Sequence, residues 1–358
     1  MKSALVHYWL VTRRGGEAVL EAIGELLPEA DLFAHVIDQD VLFGSLKGRR
    51  TQETFIGRLP FARRRYQMYL PLMPLGLESL DMSDYDLIVS SEAGPAKWVV
   101  PHPNARHICY SHSPLRYIWD QRHTYFSGMP GPLKVLAHAT ASRLRTSDVI
   151  SATRVDQFVA NSNFVAKRIW KYYRREADVV FPPVEVNEFT PVNDVDDYYL
   201  FVGDLRFYKR VDLAIQACTA LNRRLVVIGA GKERKQLEKL AGPTVEFRGK
   251  VPFPELKQAL ARCRALLFPG IEDFGISIVE AMASGRPVIA YNKGGAVDSV
   301  LHGESGLLYS DPSLDGVKQA ILEFESEEQS FRPEACVARA REFGRDRFLE
   351  RFAVHLKG

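Results

Sequence analysis

The stretch from Ala265 to Ala290, ALLFPGIEDFGISIVEAMASGRPVIA, holds two short apolar runs with a helical pattern of small residues between them. The first run ends at Phe268 in a Pro-Gly turn, and the second begins at Pro287, just past Gly285. Two short apolar strands joined by a helix pair in parallel, because the helix carries the chain back to the starting end of the sheet. The stretch therefore predicts a β-α-β unit in a buried parallel sheet.

The same alternation continues on both sides of this unit. In the second half we predict strands at Tyr199–Val202, Leu225–Ile228, Thr244–Phe247, Ala265–Phe268 and Pro287–Ala290, with helices near 210–221, 232–240, 254–262, 276–284 and 314–325. In the first half we predict strands at Ala4–Leu10, Asp31–Val36, Asp86–Ser90, Arg106–Tyr110 and Asp156–Asn161, and a helix capped by Ser162 that runs to Arg174. Segments 40–80 and 112–150 are predicted to be irregular. Both halves are therefore α/β, with parallel sheets covered by helices on both faces.

The boundary between the two halves is expected at residue 182, because Pro182-Pro183 stops a strand and an acidic, proline-containing run follows. We predict an N-terminal domain of residues 1–182 and a C-terminal domain of residues 183–339. The last helix, over about 332–352, is expected to return to the first domain, with its end at about 340–358. A cleft between two such domains is the expected ligand site.

Composition excludes several classes of function. The 358 residues are 46% hydrophobic and 25% charged, with a net charge of only +3, which does not favour nucleic acid as a partner. The four cysteines lie far apart and form no metal-binding motif, so they are expected to be reduced thiols. The N-terminal apolar run is interrupted by His7 and has no cleavage site, and no stretch approaches the roughly 18 apolar residues of a membrane span. We expect a cytoplasmic protein that at most associates with the inner face of the cytoplasmic membrane.

Two acids in the opening stretch point to a ligand. Glu272 lies in the loop that leaves a strand, and Glu280 lies about one turn inside the next helix, with Gly275 between them. Ligands of parallel sheets bind at the carboxyl ends of the strands, and the free N–H groups of a helix start suit phosphates. Because carboxylates accept paired hydrogen bonds from sugar diols, the two acids could hold a ribose and a hexose, with a diphosphate between them. The alternative is a loop charge and a surface acid, which the apolar neighbours of Glu280 disfavour.

Basic residues follow another strand end. Arg206 and Lys209 lie between Gly203, where a strand ends, and an amphipathic helix, and they could neutralise a diphosphate. An ordinary charge at a helix start is the alternative, although a lysine there opposes the helix dipole. The turn with Gly229 and Gly231 fits neither a dinucleotide fingerprint nor a P-loop.

In the first half, Gly15 and Gly16 precede a helix and could admit an anion, and His112 follows the strand that ends at Tyr110. A purely structural role for His112 stays an alternative.

Five segments, in order, resemble the family-4 retaining glycosyltransferases, which have the GT-B fold. The segment GIEDFGISIVEAMASGRPVIA resembles their E-x7-E segment, HYWLVTRRGGEAV their Gly-Gly loop, and CYSHSPLRYIWD their histidine segment. VANSNFVAKRIWKYY with VVFPPVEVNEF is similar to their interdomain passage, and FVGDLRFYKRVDLAI to their phosphate-binding turn. SHSPLRYIWD and MYLPLMPLGLESLDMSDYDLIVSSEAGPAK most resemble bacterial mannosyltransferases of O-antigen and exopolysaccharide assembly.

The resemblance implies roles for the residues around the two acids. Glu272 would contact the transferred hexose together with the backbone amides of Phe274, Gly275 and Ile276, and Glu280 would hold the ribose diol.

It also implies how the diphosphate is held. Lys209 and the backbone of the Gly15-Gly16 loop, chiefly Gly16, would neutralise it. Asp204 stands where the family usually has arginine, and Arg206 is our candidate for the missing charge.

Finally, His112 would lie beside the transferred sugar, and Arg248 and Lys250 would border the base. The implied reaction moves mannose from GDP-mannose to a polyprenyl-diphosphate-linked glycan with retention of configuration, and it needs no metal or other cofactor. We interpret three D-x-D pairs, at 38–40, 84–86 and 194–196, as loop acids. The alternatives are a UDP-sugar donor, a sugar-nucleotide epimerase or hydrolase of the same architecture, and a binding module without catalysis.

The segment from Ser45 to Leu70 carries seven basic residues and one acid, with apolar side chains between them. Basic residues are attracted to anionic lipid, and aromatic residues suit the membrane interface. We predict that this segment docks on a membrane, with a solvated loop or an acceptor groove as the alternatives.

Overall fold

The computed structural model describes residues 1–357. It divides into two compact units, each with its own parallel sheet. The N-terminal unit contains residues 1–182 and the C-terminal residues from Leu349 onward, and the C-terminal unit contains residues 183–348.

The N-terminal unit is built on a seven-stranded parallel sheet. Its strands are β1 (Ser3–His7), β2 (Asp31–Ala34), β3 (Thr51–Glu53), β4 (Leu87–Glu92), β5 (Arg106–Ser111), β6 (Gln157–Ala160) and β7 (Ala177–Val179). Its helices are α1 (Gly15–Leu26), α2 (Ala62–Arg65), α3 (Met73–Glu78), α4 (Arg122–Phe126), α5 (Gly131–Ala152) and α6 (Asn163–Tyr173), with short 3-10 helices at Gln39–Val41, Gly44–Leu46, Phe55–Arg58 and Tyr66–Leu72. The strand order is β3-β2-β1-β4-β5-β6-β7, so the order reverses between β1 and β4. In sheets of this type the crevice at that reversal, at the carboxyl ends of the strands, is where ligands bind.

The C-terminal unit repeats this plan with six parallel strands. They are β8 (Tyr199–Val202), β9 (Leu225–Ile228), β10 (Val245–Gly249), β11 (Leu266–Phe268), β12 (Val288–Tyr291) and β13 (Gly306–Tyr309). The helices are α7 (Val211–Ala220), α8 (Arg234–Glu238), α9 (Phe253–Arg262), α10 (Ile276–Ala283), α11 (Ala296–Ser299), α12 (Leu314–Glu327) and α13 (Pro333–Arg341), with 3-10 helices at Val186–Glu188, Phe207–Lys209 and Glu328–Ser330. The order β10-β9-β8-β11-β12-β13 reverses between β8 and β11. The loops that follow β8 and β11 therefore emerge side by side.

The strand positions follow from burial on both faces of each sheet. Every residue of β4 and β9 is buried, as is expected for parallel strands covered by helices on both sides. The main core of the C-terminal unit packs Tyr199 and Phe201 of β8 against Phe324 of α12. The predicted cap of α6 is confirmed, because the Ser162 hydroxyl accepts a hydrogen bond from the Val165 amide at 3.1 Å.

Two predictions about helices were wrong. Segment 112–150, predicted to be irregular, contains the 22-residue helix α5. This helix buries only five residues along its length, so it shows little helical periodicity in its sequence. The last helix is two helices, α13 and α14 (Arg345–Leu356), interrupted where Phe343 is buried ahead of Gly344.

The end of α14, from Leu349 onward, belongs to the N-terminal unit, a later start than the predicted return at about residue 340. The ring of Phe352 lies 6.0 Å from that of Tyr110 on β5. His355 Nδ1 lies 2.8 Å from Gln157 Nε2, at the start of β6.

Candidate active site

Lys209 and Glu272, predicted to share a ligand, meet directly in the C-terminal unit. Lys209 ends the 3-10 turn that follows β8, and Glu272 lies in the loop that follows β11. Because β8 and β11 are neighbours at the reversal of strand order, these two loops leave the sheet side by side. The Lys209 ammonium forms an ion pair with the Glu272 carboxylate, and the two side chains are only 13% and 18% exposed. This half-buried pair places one cation and one anion at the ligand-binding edge of the sheet. A charged or polar ligand group could replace either partner of the pair.

The loops behind this pair are packed backbone to backbone. The Leu205 amide donates to the Ala230 carbonyl oxygen at 3.0 Å. A Cβ on Gly229 would lie 1.8 Å from the carbonyl oxygen of Gly203, so only glycine fits there. Gly229, which matched no nucleotide motif, therefore has a packing role: it lets the loop after β9 support the loop that carries Lys209.

The start of α10 lies between the two acids. Gly275 caps the helix with φ of 93°, a left-handed conformation that favours glycine, and the helix begins at Ile276 as predicted. The Glu272 carbonyl oxygen accepts a hydrogen bond from the Gly295 amide at 2.9 Å, which fixes the backbone of that loop. The first amides of α10 have no partners within the helix, and they create a site that favours an anion.

Glu280 lies in the second turn of α10 and is partly buried. Its carboxylate makes no hydrogen bond or ion pair with any other residue in the range 1–357. Burial raises the pKa of Glu280 from 4.5 to about 7. A carboxylate in this position needs hydrogen-bond donors when it is ionised, and a ribose diol would supply two.

We expect donor binding to strengthen as the pH rises through about 7, the pKa of Glu280. Below that value the folded protein holds a proton on Glu280, which a diol must displace in order to donate both of its hydrogen bonds. Affinity for a nucleotide sugar, measured by calorimetry, should fall about tenfold from roughly pH 8 to pH 6. Nucleotide sugars suit this test because their diphosphate does not ionise in that range.

Glu280→Gln is the matched control, since it keeps the shape and removes the titration. Its affinity should be lower and should not vary with pH in this range; an unchanged pH dependence in this variant would exclude Glu280 as the cause. The donor-free protein should show the opposite trend. Because the folded-state pKa is raised from 4.5 to about 7, the contribution of Glu280 to the free energy of unfolding falls as the pH rises through that window.

The residues predicted to border the base lie farther away. Arg248 and Lys250 lie at and just after the end of β10, which β9 separates from β8. Both are exposed, and Arg248 forms an ion pair with Glu246 at 2.8 Å. Two strand spacings amount to about 10 Å, so Arg248 and Lys250 do not contact the Lys209–Glu272 pair directly.

Arg206, the candidate replacement for the missing family arginine, lies beside a cavity of about 330 Å³. This cavity is lined by residues of α7 and α8, including Gln216 and Leu237. No ion pair holds Arg206 in place within residues 1–357. Its contribution to the diphosphate site stays a prediction.

In the N-terminal unit, His112 and Gly16 lie close together. A Cβ on Gly16 would lie 3.7 Å from His112 Nε2 and 2.5 Å from Tyr8 Oη. Gly15 and Gly16 form the first turn of α1, so the predicted loop before the helix is part of the helix itself. The structure thus brings together the glycine and histidine segments, which lie almost 100 residues apart in the printed sequence.

Sequence reasoning missed the partner of His112. Ser91 Oγ lies 2.9 Å from His112 Nε2, and the His112 amide donates to the Glu92 carbonyl oxygen at 2.7 Å. Burial, and secondarily the neighbouring His112, lower the pKa of His7 well below its usual value. Parallel pairing explains these contacts, because His7, Ser91 and Tyr110 lie at one level across β1, β4 and β5.

A buried charge network holds Glu92, the last residue of β4. Lys97 Nζ donates to Glu92 Oε1 at 2.9 Å and also forms an ion pair with Asp148, and all three side chains are fully buried. The Tyr173 and Trp119 side chains each donate to Asp148 Oδ2 at 2.8 Å. Burial opposes the charge of Lys97, but the carboxylates of Asp148 and Glu92 outweigh it and raise the pKa of Lys97.

Two of the three D-x-D pairs form ion pairs with basic residues. Asp194 and Asp196 form ion pairs with Arg262, and Asp84 pairs with Lys2 at 3.1 Å. No group of three or more His, Cys, Asp or Glu within residues 1–357 is placed to hold a metal ion. All four cysteines are buried and unpaired.

Both units are doubly wound α/β structures, and in the C-terminal unit helix α10 begins between Glu272 and Glu280. Residues 184–343, nearly all of the C-terminal unit, match the family described as "Glycosyl transferases group 1". By this match the C-terminal unit is similar to the group 1 glycosyltransferases.

Two curated relatives are about 30% identical to part of this chain. An uncharacterised glycosyltransferase of Methanocaldococcus jannaschii, MJ1178, is 29% identical over 185 residues, which cover 50% of this chain and 52% of that protein. A GDP-Man:Man(3)GlcNAc(2)-PP-Dol alpha-1,2-mannosyltransferase of Xenopus tropicalis is 32% identical over 168 residues, which cover 39% of this chain and 34% of that protein. The chain thus spans about half or less of the length of these relatives.

The fold is shared with a solved structure along the whole chain. The HepE protein of Anabaena, in complex with UDP and glucose, aligns with a TM-score of 0.73 at 16% identity, covering 100% of both chains. The predicted GT-B fold, with two α/β units and parallel sheets, is confirmed.

Proposed function

We propose that this chain transfers a hexose from a nucleoside diphosphate sugar to an acceptor hydroxyl, with retention of configuration. One observation carries the proposal: Lys209 and Glu272 meet beside the start of α10, one turn before Glu280, whose carboxylate has no hydrogen-bond or ion-pair partner within residues 1–357. A cation, helix amides and two carboxylates at different depths match the diphosphate, the hexose and the ribose of such a donor.

The Lys209–Glu272 pair has a role in the proposed mechanism. The donor diphosphate binds at the first amides of α10, and the Lys209 ammonium turns from Glu272 to the phosphate. Glu272 then accepts hydrogen bonds from hydroxyls of the hexose. The acceptor oxygen bonds to the anomeric carbon on the face that the phosphate leaves, and the acceptor proton passes to the leaving phosphate. As the bond from that carbon to the β-phosphate oxygen breaks, negative charge grows on the nucleoside diphosphate, where Lys209 and the helix amides stabilise it. This scheme assigns no step to a metal ion.

The proposed donor is GDP-mannose. In support, the Xenopus relative is named as an enzyme that uses GDP-Man to transfer mannose. A UDP-sugar is the second candidate, because the full-length structural neighbour from Anabaena was solved with UDP and glucose.

The proposed acceptor is a polyprenyl-diphosphate-linked glycan in bacterial surface polysaccharide synthesis, at the inner face of the cytoplasmic membrane. The Xenopus relative's name gives a glycan on a dolichol diphosphate as its substrate, which supports a lipid-linked acceptor. Within residues 1–357, no helix has the length and apolar character needed to cross a membrane.

A panel of GDP, UDP and ADP sugars, read by thermal shift, tests the donor site. GDP-mannose is expected to raise the melting temperature of the full chain most, and Glu280→Gln should reduce that shift. The absence of a shift with every nucleotide sugar would contradict the proposal.

Product analysis with the best donor separates the alternative functions. A transferase consumes the donor only when an acceptor is present, whereas an epimerase or hydrolase converts it without one. A binding module gives a thermal shift but no product under either condition.

A further inference from the structure

The tip between α4 and α5 carries an unusual number of exposed apolar side chains. Leu133, Val135 and Leu136, in the first two turns of α5, are 56%, 71% and 63% exposed. Met129, just before the helix, is also exposed. Leu133 and Leu136 are three positions apart, so they share one face of the helix. A cluster of exposed aliphatic residues on one helix face marks an interaction surface.

The exposed charges of the α4–α5 hairpin, residues 121–152, are all positive. Segment 121–152 contains Arg122, Lys134, Arg143 and Arg145, and its only acid is Asp148. Asp148 is fully buried and paired with Lys97, so the exposed surface of the hairpin bears no acidic side chain. The partner that complements this surface is both apolar and anionic.

The base of the hairpin is buried and hydrogen-bonded, whereas its tip is exposed. Ala141 and Leu144 are buried in the core, and Arg145 donates to the Ile118 carbonyl oxygen at 2.8 Å. Trp119 and the Lys97 ammonium hold Asp148 in the lower half of α5. The helix therefore projects its first two turns from a fixed support.

The hairpin shares its support with the segment predicted to dock on a membrane. Leu70 of that segment and Phe126 of α4 pack against the same core cluster, which includes Met73 and Leu144. Both elements therefore cover one face of the N-terminal sheet.

Only part of the basic segment is available for a partner. Arg49 donates to the carbonyl oxygens of Gly24, Leu27 and Ala30 and so ends α1, and Arg63 donates to Ile37. Exposed side chains remain at Arg58, Phe61, Arg64, Arg65 and Met68. The hairpin adds the aliphatic groups that this segment lacks.

We propose that the α4–α5 tip, residues 129–136, inserts into the interface of an anionic lipid bilayer. A bilayer is the surface on which a lipid-linked acceptor would lie, so the use of this binding rests on the proposed function. The binding itself does not. Aliphatic side chains enter the boundary of headgroups and acyl chains while basic side chains meet the anionic headgroups. The partner is a lipid surface and not a protein, because the tip combines exposed aliphatic side chains with Lys134 and contains no acid.

Vesicle flotation of the full chain tests the proposal. The chain should float with vesicles that contain about 30% phosphatidylglycerol and not with phosphatidylcholine alone, and high salt should weaken binding. Leu133→Ser combined with Leu136→Ser should lower the bound-to-free ratio on anionic vesicles at least about tenfold. The matched control is Leu301→Ser combined with Leu322→Ser, which changes two similarly exposed leucines of the C-terminal unit and should leave the ratio unchanged.

A fluorescent probe tests insertion independently of these variants. Because all four native cysteines are buried, Leu136→Cys can be labelled selectively with an environment-sensitive dye. Anionic vesicles should shift its emission to the blue. An unchanged emission spectrum overturns the inference, and so does equal flotation of the tip and control variants. The inference is also overturned if the chain does not bind vesicles but self-associates, and the tip variants abolish that self-association.

The thermal shift with nucleotide sugars is measured on the same variants. Tip variants that keep this shift and lose flotation support the inference. A chain that binds donor but never binds vesicles overturns the inference alone, whereas a chain that binds vesicles but no donor overturns only the proposed transferase.

Discussion

Replacing Lys209 by alanine is expected to lower kcat/KM for glycosyl transfer at least tenfold, and by about 10²-fold or more if the ammonium acts mainly on the leaving phosphate. The side chain is the cation of the proposed donor site, and its partner Glu272 would be left as a half-buried carboxylate without a counter-charge. An anionic group next to the donor diphosphate would then repel it. Initial rates with the donor chosen by the thermal-shift panel give this value.

Lys318→Ala is the matched control for this variant. Lys318 also forms an ion pair, with Asp315 at 3.1 Å, but on the exposed surface of α12. Exposed pairs contribute little to stability, and this one lies far along the chain from the anion site, so activity should be unchanged. Normal turnover of Lys209→Ala would contradict the assigned role.

Replacing Glu272 by alanine is expected to cost at least about tenfold in kcat/KM, through the loss of hydrogen bonds to the hexose and of the partner that holds Lys209. Glu272→Gln separates the two causes, because an amide still accepts a hydrogen bond from a hydroxyl but cannot pair with the Lys209 ammonium. The variants are compared by initial rates, with Glu323→Ala on the exposed face of α12 as control.

The double variant of Lys209 and Glu272 provides the sharper comparison. Residues that act as one unit give losses that do not add, so the double variant should lose less than the product of the two single losses. Near-normal turnover in both single variants would refute the site as a whole.

Much of the fold could be predicted because parallel strands bear a strong local signal. The strands Tyr199–Val202 and Leu225–Ile228 were placed to the residue, since each is a continuous apolar run between polar turns. The short strands β3, β7 and β13 were not predicted. They have three or four residues at or near the ends of the strand order, where pairing with a neighbour defines the strand and the sequence signal is weak.

The helix α5 was missed for a different reason. Its first half projects from the unit, and its second half buries only Leu144, Asp148 and three small residues, so no broad apolar stripe marks it as a helix. The contacts that hold this helix are made by its second half, and a search for apolar periodicity does not detect them.

The candidate site could be predicted in its parts but not in its contacts. The places of Glu272, Gly275 and Glu280 around a helix start follow from local sequence alone. The Lys209–Glu272 pair depends on which strands are neighbours, and the sequence does not state the strand order. The Lys97–Asp148 pair spans 51 positions, and one partner lies in the helix that was missed.

The central claim, that an activated sugar binds at the start of α10, is tested most directly by a crystal structure of the chain with the nucleotide sugar that gives the largest thermal shift. The diphosphate is expected within hydrogen-bond distance of the Ile276 amide and of Lys209 Nζ, with the ribose hydroxyls on the Glu280 carboxylate. Electron density for the nucleotide elsewhere, for example in the cavity beside Arg206, with the Lys209–Glu272 pair undisturbed, would contradict the account.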